Sequence, residues 1–268
     1  MEELIMKSAK MYVVTILLFI LSLSATPLQA GEKLGILLMH GKGGTSNPNS
    51  PIGKLSYSLK REGFIVIAPI MPWSRSRKYD KTFDESMAEI DEYVEKLREK
   101  GATKIVVGGH SMGANAALGY GARREGLSGI LAIAPGHVPE QMGFQNEIDN
   151  DWIRSKEMVE AGKGNQKDKF NDLNQGAKTR VKVKAEVYLS WFDPNGPACM
   201  PVNAANLKPE TPLLWIIGKK DYMFKVGRDY AFNKAPSNPK NAYIVVEGGH
   251  LVTPQKGKAE IINWINNL

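Results

Sequence analysis

A serine with glycine two residues to either side, Gly109-His110-Ser111-Met112-Gly113, follows the apolar run Ile105-Val106-Val107 and precedes the alanine-rich residues 114–118. Read locally, this is strand, tight turn and helix. Such a turn forces the serine into a strained backbone with its hydroxyl projecting, and only small neighbours let strand and helix come close. The first amides of the helix have no acceptor inside it, so the Met112 N–H can help hold a developing oxyanion. Serine is a weak nucleophile near neutral pH and needs a base within hydrogen-bond reach, itself oriented by a carboxylate. The chain offers four histidines, His40, His110, His137 and His250. Two aspartates follow apolar runs in turns: Asp221 in Ile217-Gly218-Lys219-Lys220-Asp221 and Asp193 in Trp191-Phe192-Asp193-Pro194.

The pentapeptide resembles the nucleophile elbow of the α/β-hydrolase superfamily, and other pieces match that family in chain order from about Leu34 to the C-terminus. Leu37-Leu38-Met39-His40-Gly41 is similar to the strand and His-Gly turn that open its oxyanion hole. Residues 217–221 are similar to its acid turn, and Gly248-Gly249-His250 to its histidine loop. The resemblance implies Ser111 as nucleophile, His250 as base and Asp221 as acid, with the Lys42 and Met112 amides as oxyanion donors. Asp193 stays the alternative acid or a pocket residue. The same resemblance sets the other histidines aside: His40 in the strand-end turn, His110 as the variable elbow residue facing away from the serine, and His137 at the start of the cap. His40, Gly41, Trp73, Trp191 and Asp193 are expected around the substrate. The implied chemistry needs no metal and no organic cofactor.

These residues must be delivered by a regular scaffold. Residues 34–39, 64–68, 105–107, 129–134, 213–217 and 242–246 are short apolar runs of the kind buried on both faces of a parallel sheet. Helices fall between them. One starts at Ser50-Pro51, lines up Ile52, Leu55 and Leu59 and stops at Gly63. Another opens on a Thr82/Glu85 capping box and repeats Met87, Ile90, Val94 and Leu97 until Gly101. A helix around residues 225–233 and a last one from Thr253-Pro254 complete the alternation. The fold expected is α/β: an α/β-hydrolase fold with a mainly parallel sheet of about six strands flanked by helices. The family's usual first two strands are missing, and a small cap is inserted at residues 137–211. Within that insertion, residues 151–161 read as a helix and 181–184 as a half-exposed strand, and the apolar run 187–192 is expected to line the pocket. Residues 69–79, with Trp73, Arg75, Arg77 and Lys78, either meet an anionic substrate or form a surface loop over a packed Trp73.

Residues 1–30 read as a signal peptide: Lys7 and Lys10, an apolar run over residues 12–23, then Leu28 and Ala30 where a signal peptidase reads. The run is short of the ~20 residues a membrane span needs. Cleavage after Ala30 and export to the periplasm or medium are expected, the alternative being an uncleaved anchor. Residues 31–268 then form one hydrolase domain. The single cysteine, Cys199, excludes an intramolecular disulfide. The formal charge of +7 is spread along the chain, with no densely basic nucleic-acid motif. A small-molecule ester is the partner expected, nucleic acid is not, and membrane contact is expected only through the leader. Thioesterase, peptidase and acyltransferase activities use the same triad, and a binding protein on a hydrolase scaffold is the non-enzymatic alternative.

Overall fold

A computed structural model describes residues 32–268, of which 33–268 form one compact unit. The leader lies outside the described residues. Strands β1 (Leu34–Met39), β2 (Ile65–Ile67), β3 (Lys104–Ser111), β4 (Gly129–Pro135), β7 (Leu213–Gly218) and β8 (Ala242–Val246) make one sheet in the order β2-β1-β3-β4-β7-β8. Every pairing in it is parallel. Alternate residues of each strand feed opposite faces. Leu37, Met39, Val107, Ala132 and Trp215 join one buried layer, and Ile36, Leu38, Val106, Leu131 and Ile216 the other.

Helices α1 (Pro51–Arg61), α2 (Phe83–Glu99) and α3 (Met112–Arg123) connect the first four strands. The signals that place them are local. Ser50 Oγ caps α1 by accepting from Gly53 N, and the Thr82/Glu85 capping box of α2 is closed in both directions. After β7, the single helix expected around residues 225–233 is instead α8 (Tyr222–Val226) followed by two single 3₁₀ turns. Asp221 caps α8 so that it starts three residues early, and Gly227 at φ 88° breaks it before it can extend. The chain closes with α9 (Thr253–Lys256) and α10 (Lys258–Asn266).

Between β4 and β7 the chain leaves the sheet for α4 (Met142–Glu147), α5 (Asp151–Glu160), the antiparallel hairpin β5 (Lys167–Asn174) and β6 (Ala177–Lys184), α6 (Ala185–Phe192) and α7 (Met200–Ala205). The run 187–192, expected at the pocket, is helix α6. Its Val187, Tyr188, Trp191 and Phe192 are core, with Tyr188 stacked between Phe192 and Phe170 of β5.

Candidate active site

At the end of β3, Ser111 has φ 57° and ψ −120°, outside the regions a residue with a Cβ ordinarily occupies. Strain of this kind is worth ~1–3 kcal/mol and persists only where the surroundings enforce it. They do so by proximity. A Cβ on Gly109 would lie 2.5 Å from the Gly113 carbonyl carbon, and one on Gly113 2.6 Å from Met39 O. Both positions must therefore be glycine for β1, β3 and α3 to meet. Met112 opens α3, which places its N–H among the amides without a helical acceptor.

Asp221 is buried behind β7. Its Oδ1 accepts from Met223 N at 2.9 Å, which leaves Oδ2 to accept from His250 Nδ1 at 2.7 Å. A proton held at Nδ1 by the carboxylate leaves Nε2 as the basic nitrogen. The two loops are tied together by Lys220 N donating to Gly248 O at 2.9 Å. A Cβ at position 136 would lie 2.9 Å from Ser111 Oγ and 3.5 Å from His250 Cε1, so Gly136 clears the ground beside both. Asp193, the other acid considered, sits in a turn after α6. Its Oδ1 accepts from Asn195 N and its carbonyl from Gly196 N, each at 2.9 Å.

His110 departs from expectation. Instead of facing away, its Nε2 donates to His250 O at 2.9 Å, with the two rings 4.7 Å apart. Burial first, and then the neighbouring His250, hold its pKa down at about 4, so the ring is neutral and fixes the loop that carries His250. Nothing in the local sequence announces a contact between an elbow residue and a carbonyl so distant in the chain.

The loop after β1 is held from below. His40 Nδ1 donates to Gly41 O at 2.8 Å, and its Nε2 accepts from Met71 N at 3.0 Å. Burial lowers its pKa. Trp73 Nε1 donates to His40 O at 2.7 Å, and Trp73 O accepts from Gly43 N at 2.8 Å. Lys42, expected only to offer its amide, also drives its side chain into the interior. There Nζ meets Asp172 of β5 at 2.5 Å and donates to Leu173 O at 2.9 Å, with both charged groups nearly buried. Tyr79 donates to the other Asp172 oxygen at 3.3 Å, and the Phe192 and Phe144 rings lie 5.3 and 5.5 Å from the ammonium. Burial lowers the Lys42 pKa and Asp172 opposes the fall. This ion pair joins the candidate oxyanion loop to the cap.

Ser111 borders two cavities. The larger, about 600 Å³, also takes in Met112, His250 and Asp221, with Val138, Phe144 and Tyr222 on its walls. The smaller, about 210 Å³, lies against His40, Gly41, His110 and Leu251. Lys42 borders both, as do Asn174 and Gln175 at the tip of the β5–β6 hairpin. Of the residues expected around the substrate, His40 and Gly41 border the smaller cavity. Trp73, Trp191 and Asp193 border neither cavity. The two tryptophans are core side chains packed edge to face 5.4 Å apart, and the Arg77 of the same loop is clamped on Glu89 at 2.5 and 2.8 Å. Among the described residues, no cluster of three His, Cys, Asp or Glu side chains is arranged to hold a metal ion.

Residues 36–261 match the family model described as the alpha/beta hydrolase family. A comparison with curated protein sequences gives no significant match. Among solved structures, the chain is similar to one reported for the metagenome-derived lipolytic enzymes LipS and LipT, with 16% identity and a TM-score of 0.63, covering 89% of this chain and 95% of that one. A monoacylglycerol lipase from Paleococcus ferrophilus aligns with 20% identity and a TM-score of 0.61, covering 87% of this chain and 94% of the other. A thermostable carboxyl esterase from Bacillus coagulans gives 16% identity and a TM-score of 0.60 over 88% of this chain and 90% of its own.

Proposed function

The chain belongs to the alpha/beta hydrolase family, and from that premise we propose that it is an exported serine hydrolase that cleaves a carboxylic ester of a small or polar molecule. The observation that carries this reading is the 2.7 Å bond from His250 Nδ1 to buried Asp221, with Ser111 on the same cavity wall. His250 Nε2 takes the Ser111 proton as Oγ attacks the ester carbonyl. The Lys42 and Met112 amides stabilise the oxyanion. Collapse of the tetrahedral species expels the alcohol, which receives its proton from His250, and water activated by the same histidine releases the acid and restores Ser111. Two cavities meeting at the nucleophile leave one space for each side of the scissile bond.

The test is turnover of short- and long-chain p-nitrophenyl esters by residues 31–268, beside Ser111→Ala and a matched thioester. Short-ester turnover that drops by roughly 10⁴-fold or more in Ser111→Ala is expected. Folded protein with neither turnover nor labelling by a fluorophosphonate would instead assign the scaffold to binding.

A further inference from the structure

The cations that look scattered in the sequence are gathered by folding onto one face of the β5–β6 hairpin. Its register sets Lys167 opposite Lys184, Lys169 opposite Lys182, and Asn171 opposite Arg180. The other face carries Phe170 and Val183 into the core, and its two acids are already engaged, Asp168 by Arg154 and Asp172 by Lys42. On the outer face Lys178 and Lys184 reach Asp149 and Glu186 at 2.7 and 3.2 Å. Lys167, Lys169, Arg180 and Lys182 are exposed and, among the described residues, have no carboxylate within salt-bridge distance.

Protection of an open sheet edge explains lysines on β6 but not on β5. The β5 edge is covered: Asn171 N donates to Asp151 at 2.6 Å and Asn171 O accepts from Tyr188 at 2.7 Å. Like charges placed directly across a ladder also work against the hairpin's own stability. A partner with dense negative charge resolves both points.

The hairpin's position says what kind of partner. Its tip, with Gln175 at φ 51° and Gly176 at φ 78°, forms part of the wall of both cavities beside Ser111. Around the same mouths Tyr222 of the larger cavity and Leu251 of the smaller are 64% and 52% exposed. A hydrated polyanion gives such side chains nothing to enter, whereas the headgroup boundary of a bilayer does. The outer face itself has no aromatic ring on which a nucleobase could stack.

We propose that the outer face of the β5–β6 hairpin docks this protein on an anionic phospholipid bilayer and brings the adjoining cavity mouth to that surface. Docking is independent of the chemistry at Ser111, so the two readings fail separately. The experiment is sedimentation of residues 31–268, which contain the whole compact unit, with phosphatidylcholine vesicles and with vesicles in which a third of the lipid is phosphatidylglycerol. The variant Lys167→Gln/Lys169→Gln/Arg180→Gln/Lys182→Gln is measured beside it. Each cation near an anionic surface is worth about fivefold in partitioning, so the variant should bind the anionic vesicles roughly 10²–10³-fold less well. Wild-type binding should also collapse between about 0.05 and 0.5 M salt. Its unfolding temperature should not fall, because opposed like charges have been removed. Ser111→Ala should partition like the wild type. Equal binding to both vesicle types, or a variant that binds as well as wild type, overturns the proposal. So does tighter binding to inorganic polyphosphate than to anionic vesicles, which would assign the face to a soluble polymer.

Discussion

The sheet side of the site and the cap side are built on different principles. Ser111, Asp221 and His250 each sit where a strand ends, and backbone turns hold them: two obligatory glycines at the elbow, an aspartate that caps α8, and a Gly-Gly loop. The cap is held against them by side chains that pair across long stretches of chain, Lys42 with Asp172 and Tyr79 with Asp172. Backbone-borne placement survives most side-chain changes, and pairwise placement does not. Substitutions should therefore divide cleanly into those that remove chemistry from an intact fold and those that loosen the cap.

The largest effect belongs to the sheet side. Asp221→Asn should lower kcat by roughly 10³–10⁴-fold, because the amide no longer fixes the His250 tautomer. The fold should hardly notice, since an asparagine oxygen can still accept from Met223 N and cap α8. Asp193→Asn, in a turn bordering neither cavity, should leave kcat within about twofold of wild type. Comparable losses at both aspartates, read as kcat beside the unfolding temperature, would erase the distinction between the two regions.

Next comes the seam. Lys42→Met strands the buried Asp172 carboxylate and Asp172→Leu strands the ammonium, and each should cost about 3–5 kcal/mol. For a chain of this size that is a fall in Tm on the order of 10 °C. The double variant, which replaces the pair by apolar side chains of similar volume between Phe144 and Phe192, should recover most of it. Thermal melts of the four proteins give the coupling directly. Strict additivity would mean that the pair does not join the loop after β1 to the cap.

The same division explains what was legible in the sequence. The six strands, both capped helices and the Ser, Asp, His order rest on local patterns: apolar runs, Ser50-Pro51, Thr82 with Glu85, and glycine turns. Strand β5 was not legible, because Asn171 and Asp172 read as surface residues until Tyr188, Asp151 and Lys42 are brought to them. Trp73 and Trp191 misled because an aromatic in an apolar segment has the same signature in a core as in a pocket. His110 misled because the carbonyl that it holds belongs to the opposite loop, 140 residues away. The basic face of the hairpin needed the register of two strands, which a charge count cannot supply.

The smallest effect predicted is one of pH, at the cap's first turn. Glu140 lies just after β4, and its Oε1 accepts from Tyr230 in the segment after α8. Burial raises its pKa from the ordinary 4.5 to about 8, against weaker help from the backbone N–H groups of Glu140 and Met200. The sign is opposite to that of a salt-bridged carboxylate. Between about pH 4.5 and 8 the folded protein keeps a proton that the unfolded chain releases, so this group costs stability as pH rises through that window. Glu140→Gln keeps an oxygen for Tyr230 and cannot ionise. It should melt close to wild type at about pH 4.5 and roughly 4–8 °C above it at about pH 6. Melting curves that run parallel across the window would show that Glu140 ionises as freely in the folded cap as in the unfolded chain. The turn would then be held by its backbone, like the sheet side, rather than by the buried acid and its tyrosine.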